Sequence, residues 1–390
     1  MANRFTTLRC IFAALALACA GAVYFIFAPK AAALPIKFDA YVASLKARGE
    51  PTVPADIMRE PLPNKGNAIW YLKQAAAAIA LEHMGPSSSC LPSGAALPYG
   101  DEWNRQAADM MEANPRVFEL VREAARHKID WGISFEVVNS VNVPKLESLG
   151  DYIALRGVLA DAALYHHFCG DDAAAMAAMQ DILFCGDAMA DYPLMIGYLV
   201  ASINRSVASK SIHVIAGGLT IRDAAHPADP VALNPARRED VQKVIRWLLD
   251  DETLRQQYRK ALAAERLVFL VNAKSRQASE AQDRYNSTYT AVMDEAIEAS
   301  RSPHLPPLPQ VSADKLGLAE QIAGVRSSLF ETIRSQRMAA IDLATQLYRS
   351  DTGHSPSSLS DLVPAYLPAV PADPLAKEGR PLTYISSVGR

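Results

Sequence analysis

The chain has 390 residues, enough for one large domain or two ordinary ones, and half of them are hydrophobic, so it can fill a real core. Charged residues make up 21% and the formal net charge is −3. These values exclude a disordered chain and imply neither a basic surface for nucleic acid nor an acidic tail. Abundant alanine and few alternating β-branched runs predict a mainly α-helical fold.

An apolar, uncharged segment lies close to the N-terminus, over residues 11–28. As a helix it would be about 27 Å long, just enough to cross the hydrocarbon of a bilayer. Arg4 and Arg9 precede it without an acidic residue, which is typical of a cytoplasmic n-region. The sequence therefore predicts a cytoplasmic segment over 1–10, a transmembrane anchor over 11–28 and a periplasmic remainder.

Two other interpretations of this segment are a cleaved signal peptide and a lipoprotein signal. Ala18-Cys19-Ala20 has small residues where a signal peptidase needs them, and Leu17-Ala18-Cys19 is a weak lipobox. The apolar run continues well beyond both, through 23–27. We therefore interpret the segment as an uncleaved anchor.

Three of the five cysteines lie outside the anchor region: Cys90, Cys169 and Cys185. An odd number cannot be fully paired within one chain. If Cys169 ends one helix and Cys185 lies well along the next, about 20 Å along the axis separates them, beyond the reach of a disulfide. A bond between Cys90 and either of the two stays open.

Composition divides the rest of the chain into four regions. Residues 29–66 form a proline-rich connector with a short amphipathic piece near its start, and 67–302 form a helical domain. A proline-rich linker follows over 303–312. Residues 313–390 form a long helix and a small proline-rich C-terminal cap.

The first half of the helical domain combines helices with one irregular stretch. A helix is predicted from Asn67 to Met84, a surface loop from Ser87 to Gly100, and then a helical pair broken at Pro115. Between Trp131 and Val143 the helical period is lost and apolar residues alternate, which predicts a short strand or an extended crossover.

The strongest helical pattern runs from Lys145 to about Ala216. Gly170-Asp171 divides a first helix from a second, and Pro193 begins a third. Such antiparallel hairpins resemble the units of tetratricopeptide-like arrays, so we predict a short solenoid or an irregular bundle. The Phe-Cys-Gly-Asp sequence at 168–171 occurs again at 184–187, a spacing too short for a repeat unit.

Three further helices are predicted. One is long and charged, from Arg238 to Ala273, and one begins at Ser279 as N-cap and ends at Ala299. The last follows apolar positions from Leu318 to Tyr348 and ends at Gly353, a natural C-terminal stop.

The C-terminal tail resembles a known segment. Gly353-x-x-Pro356, Leu359-x-x-Leu362 and Asp373-Pro374 after a long helix are similar to the C-terminal segment of type II secretion major pseudopilins. The same tail, with Pro63-Asn64-Lys65-x-Asn67-Ala68-x-x-Tyr71, resembles many uncharacterised bacterial membrane-anchored helical proteins. The pseudopilin processing site has a Gly and a Glu that are missing from Arg4-Phe5-Thr6-Thr7-Leu8-Arg9.

A metal site is one possible interpretation of His166, His167, Cys169 and Asp171. Adjacent helical residues point about 100° apart, so the two histidines cannot face one ion, and no i, i+4 pair or His-Glu-x-x-His pattern is present. We therefore predict interfacial or solvated histidines, with no metal and no cofactor.

Two acidic clusters are candidates for acid–base groups. Asp250-Asp251-Glu252 and Asp171-Asp172 lie where helices begin, so capping is favoured over acid–base catalysis. No Gly-x-Ser-x-Gly or phosphate-binding glycine loop occurs, and Ser87-Ser88-Ser89-Cys90 has the composition of a loop. No catalytic residue is therefore predicted.

The sequence predicts a single-pass membrane protein whose helical domain binds a protein partner or gives structural support in the cell envelope. Its predicted partners are the membrane, through 11–28, and an envelope protein, but no nucleic acid. An enzymatic role is not favoured. The alternatives are an envelope hydrolase with an unrecognised site and an accessory of a type II secretion or pilus-like system.

Overall fold

The structure is a computed structural model, and it describes residues 38–80, 100–138, 141–144, 150–226, 232–275, 290–291, 293–307, 316–376 and 379–383. Within these ranges no helix is long and apolar enough to cross a membrane. The predicted anchor at 11–28, the Ser87–Gly100 loop up to residue 99, and the N-cap at Ser279 lie outside them.

The described chain is mainly α-helical, as the composition predicts. Its α-helices include α1 (Phe38–Ala47), α2 (Ala68–Ala77), α3 (Asp101–Ala113), α4 (Pro115–Ala124), α5 (Gly150–Phe168), α6 (Asp172–Ala190), α7 (Met195–Ile215), α8 (Arg238–Leu248) and α9 (Asp251–Ser275). Residues 290–291 and 293–299 form α10, and α11 spans Leu316–Thr352.

Local signals explain where several helices begin and end. The Asn67 side chain caps α2 by accepting a hydrogen bond from the Ile69 amide at 3.0 Å, and Pro115 begins α4 as predicted. Gly353, with φ of +78°, follows the end of α11. Only glycine adopts that left-handed conformation freely, so the predicted stop is confirmed.

The irregular stretch after α4 forms a small antiparallel hairpin. β1 (Phe135–Val138) pairs with β2 (Val141–Pro144), in a register that matches Phe135 with Pro144. The strand alternative is confirmed, although each strand is only four residues long.

The three central helices are antiparallel neighbours, as predicted. Gly170 turns the chain between α5 and α6 with φ of +77°, and a tight turn at Tyr192–Leu194 leads to α7. Gly197 lets this second turn close, because a Cβ there would lie 2.7 Å from the Met189 carbonyl oxygen and from Tyr192 Cβ.

The prediction of one helix from Arg238 to Ala273 is wrong in one respect, because the chain breaks between α8 and α9. Asp250 lies at this break, where its carboxylate accepts hydrogen bonds from the Thr253 amide at 3.1 Å and the Thr253 hydroxyl at 2.7 Å. A side-chain cap of this kind begins a new helix. The capping role predicted for Asp250 is confirmed.

The described part of the predicted linker is bound to the fold. Arg326 on α11 donates to the Pro306 carbonyl oxygen at 2.6 Å, and Arg255 on α9 donates to the Pro303 carbonyl oxygen at 3.4 Å and to that of Ser302, just before the linker, at 2.6 Å. The Leu305 amide donates to the Pro374 carbonyl at 2.7 Å, so the linker also contacts the C-terminal cap.

Two clusters of buried side chains form the core. The larger one joins α2–α8, the C-terminal half of α11 and the tail, through residues such as Leu159, Ile182 and Leu347. The smaller one lies between α9, α10 and α11 around Tyr258 and Phe330. Leu359, Leu362, Leu367 and Leu382 pack the tail on the larger core, whereas Tyr384 lies outside the described residues.

The helices give the fold two ends, which we call the entry end and the far end. At the entry end, the hydroxyl of Tyr41 on α1 donates to Asp294 at 2.7 Å, and Glu265 accepts from the amide of Met195 at 3.4 Å. At the far end, the amide of Thr220 donates to Asp172 at 2.7 Å. The 19 residues of α6 separate the two ends by about 28 Å.

Candidate functional site

A concave surface lies at the entry end, beside an extended segment of the proline-rich connector. Arg59 in this segment pairs with Ile133 in an isolated antiparallel bridge, with N–O distances of 3.2 and 2.8 Å. Met58, Arg59 and Ile133 line both of two adjoining cavities, which we call together the Arg59 groove.

The two cavities have different walls. The first is about 420 Å³ and is lined by the connector on one side and by Trp131, Gly132, Ser134 and Tyr192 on the other. The second is about 660 Å³ and lies between the connector, Lys46 on α1, Pro193, and Lys260 and Ala264 on α9. The groove is therefore long, open and partly apolar, as ligand-binding clefts are.

A glycine brings the two walls of the first cavity together. Gly132 has φ of +59°, and a Cβ there would lie 2.7 Å from Cβ and Cδ of Pro61 and 2.9 Å from its nitrogen. Trp131, the preceding residue, donates its indole N–H to the Ala188 carbonyl at 2.7 Å and so anchors this wall to α6. The shape of the groove depends on both residues.

A chain of ion pairs crosses the groove. Arg59 donates to Asp130 at 2.7 Å and to Asp191 at 2.9 Å, and Lys260 donates to the same Asp191 carboxylate at 2.7 Å. Burial alone would raise the pKa of Asp130, but hydrogen bonds from Arg59 and from the Gly132 amide hold that pKa below its usual value. Arg59 and Lys260 are therefore each paired with a carboxylate.

A second polar cluster lies at the far end and includes one of the histidines considered as metal ligands. His167 Nδ1 lies 2.5 Å from Asp172, whose carboxylate is 1% exposed and also accepts the Thr220 amide. A Cβ on Gly218 would lie 3.2 Å from His167 Nε2, so the 216–218 turn covers the ring. This pair ties α5 and α6 to the chain after α7, and it opens into neither described cavity.

The remaining residues of the metal hypothesis do not join this pair. Burial lowers the pKa of His166, which favours its neutral form, and Cys169 is exposed. Cys185 is buried, and burial raises the pKa of its thiol. Among the residues that the structure describes, no three His, Cys, Asp or Glu side chains are placed to hold a metal ion. Cys90 lies outside them.

The acidic residues predicted as helix caps have divided roles. Asp171 caps α6 by accepting from the Ala174 amide at 3.0 Å, as predicted. Asp172 differs, because its carboxylate points across the fold to His167 and Thr220. Asp251 also differs, since it forms an ion pair with Arg337 of α11, and Glu252 pairs with Arg259 on its own helix.

Sequence reasoning missed the groove because its walls come from four separate parts of the chain. The one available signal was Trp131-Gly132, which lies where the helical period is lost and near the start of an extended segment. Nothing in the local sequence pairs this dipeptide with Pro61.

Comparisons of the chain with protein-family models, with curated proteins and with solved structures found no match. The resemblance of the tail to pseudopilins and of the whole to membrane-anchored helical proteins therefore stays a prediction. The fold and its groove define the chain as a mainly α-helical protein with a cleft at one end of its helical stack.

The far-end cluster allows a first prediction. Asp172→Asn should lower the free energy of unfolding by about 1–2 kcal/mol, because the amide replaces one carboxylate oxygen by an NH2 group and removes the charge that strengthens the contacts with His167 and Thr220. Urea unfolding followed by circular dichroism measures this change. The control is Asp171→Asn, which keeps a side-chain oxygen at the N-cap and should cost a few tenths of a kcal/mol. Equal losses in the two variants would contradict the prediction.

Proposed function

We propose that this chain is a membrane-anchored protein of the cell envelope that binds a protein partner in the Arg59 groove. The anchor is the apolar segment 11–28, and the helical domain faces the periplasm. The observation that carries the proposal is the groove itself, in which two adjoining cavities of about 420 and 660 Å³ share the Met58–Arg59 wall.

Two properties of the groove favour a protein partner over a small substrate. It is open to solvent, and the hydroxyl–carboxylate contact in its lining, from Thr52 to Asp56 at 3.2 Å, belongs to a turn in which Asp56 also accepts from the Thr52 and Val53 amides. Met58 is also 48% exposed at the wall shared by both cavities. This apolar side chain is available for contact with a partner.

The test of the proposed function is chemical crosslinking in native membranes followed by purification of the full-length protein. We expect one envelope protein to be recovered reproducibly with the wild type and lost with a groove variant. Recovery of the chain alone, or recovery that is equal with wild type and variant, would show that the groove binds no protein partner.

Gly132→Ala is the groove variant of choice. The added methyl meets Pro61 at 2.7 Å on a backbone with φ of +59°, so the connector must move away from the Trp131 wall. We expect a loss of about 1–3 kcal/mol in the free energy of unfolding and at least a tenfold loss of partner recovery. The matched control is Gly66→Ala, because nothing lies within 4 Å of a Cβ there.

A further inference from the structure

We infer that the Arg59 groove binds the juxtamembrane segment of a second membrane protein, meaning the extended, uncharged polypeptide that leaves the bilayer beside this chain's own anchor. The inference rests on the proposed function, because it needs both the anchor at 11–28 and a protein partner in the groove. Its evidence lies in where the chain enters the fold and in the shape and charge of the groove.

The described chain enters the fold at the end that carries the groove. α1 begins at Phe38, and its Lys46 lines the larger cavity. Arg266 of α9 binds both Glu50, just after α1, and Asp294 of α10, which fixes this entry segment to the helical stack. Arg59 reaches Asp191 directly after the end of α6, so the groove lies at the same end.

The chain length between anchor and fold limits the distance of the groove from the bilayer. Only residues 29–37 separate the predicted anchor from Phe38, and nine residues span about 30 Å at most. The far end, with Gly170 and the exposed Leu233, lies about 28 Å further along α6. The groove therefore lies at the tethered end of the fold, about 28 Å closer to the tether than the far end is.

Shape and charge then select the occupant. A bilayer surface is flat on this scale and cannot fill a concave groove, whereas an extended polypeptide can. The lining of the groove is balanced in charge, because three cations (Lys46, Arg59 and Lys260) are matched by three carboxylates (Glu50, Asp56 and Glu60). Arg59 and Lys260 also share Asp191, and Arg59 binds Asp130. Met58, which is 48% exposed, and the half-buried Ile57 are available as apolar contacts. An uncharged extended segment fits this lining better than a charged one.

The first experiment tests the orientation without any partner. The full-length protein is reconstituted in vesicles of phosphatidylethanolamine and phosphatidylglycerol that carry an acceptor dye on the headgroups, with a donor dye at position 58 or at position 233. We expect higher energy transfer from position 58 than from position 233. Equal transfer, or higher transfer from 233, would overturn the inference and leave a groove partner possible.

The second experiment identifies the occupant. A photoreactive amino acid replaces Met58 or, as a control of similar exposure, Met338, with exposed fractions of 48% and 42%. In native membranes we expect a crosslinked adduct from position 58 and none from position 338. The crosslinked protein should resist carbonate extraction, as integral membrane proteins do. The crosslink should lie within roughly nine residues of that protein's own membrane span. Gly132→Ala should reduce this adduct at least tenfold.

The other outcomes separate the two proposals. An adduct to a carbonate-soluble protein would overturn the inference but support the proposed function. An adduct to a second copy of this chain within 29–37, a segment with Lys30 and Lys37, would overturn the inference of an uncharged occupant but support the proposed function. An adduct to lipid alone, or no adduct at position 58, would overturn both.

Discussion

Asp187→Ala is expected to lower the free energy of unfolding by about 3–5 kcal/mol, the range for breaking a buried ion pair by removing one partner. Asp187 on α6 binds Arg205 of α7 and accepts the indole N–H of Trp247 at 2.9 Å. The Arg205 side chain is 1% exposed, so it would remain in the core as a cation whose other hydrogen bond, to Gln257, is 3.3 Å long.

Two further variants make this prediction specific. Asp187→Asn keeps an oxygen that can accept from either Arg205 or Trp247. Its free energy of unfolding should therefore fall less than that of Asp187→Ala. Asp109→Ala removes an exposed carboxylate on α3 and should change the free energy of unfolding by no more than about 0.5 kcal/mol. Urea unfolding of the full-length protein in detergent measures all three. A loss below about 1 kcal/mol for Asp187→Ala would show that Arg205 finds another partner or reaches water.

The Phe-Cys-Gly-Asp sequence shows how far local sequence predicts this fold. At 168–171 its glycine turns the chain with φ of +77° and its aspartate caps α6. At 184–187 the same letters lie inside α6, where a Cβ on Gly186 would lie 3.5 Å from Arg205 and Asn204. Helical period predicted the first role, because Gly170 interrupts an apolar pattern. The role of the second glycine, Gly186, depends on which helix packs against it, and only the tertiary structure decides that.

The candidate site also combines features that local sequence predicts with features that depend on the tertiary structure. Helix positions, the Gly170 and Gly353 stops and the Asp171 and Asp250 caps follow from rules that act over a few residues, and the sequence predicted them. The Arg59 groove depends on a pairing between Arg59 and Ile133, which are 74 positions apart. No rule of local spacing predicts such a contact. The sequence therefore does not predict the groove, and the connector is identified only by its prolines.

Asp181 on α6 should make the stability of the protein depend on pH near neutrality. Its side chain is 10% exposed, and burial raises its pKa to about 7 from 3.8. The charged groups near it are Arg122 of α4, 4.0 Å away, and Lys243 of α8, both of which act to lower this pKa but do not offset the burial. The folded state therefore holds a proton that the unfolded state releases above pH 3.8.

The sign follows from this difference in bound protons. Between pH 3.8 and about 7 the folded state binds more protons than the unfolded state, so the free energy of unfolding falls as pH rises through this interval. The gap is about 3 pKa units, and at about 1.4 kcal/mol for each unit the contribution is about 4 kcal/mol. This contribution is fully present below pH 3.8 and is lost above pH 7.

Asp181→Asn isolates this contribution, because an amide of the same shape carries no charge at any pH. We expect the variant to be more stable than the wild type at pH 8, and we expect the difference between them to shrink as pH falls through 7. Urea unfolding of both proteins from pH 5 to pH 8 measures it. His213 also has a raised pKa, through its hydrogen bond to Asp342, but it is present in both proteins and cancels in the difference. A difference that is constant across this range would mean that Asp181 is already ionised at pH 5, with Arg122 and Lys243 stabilising the carboxylate more than burial disfavours it.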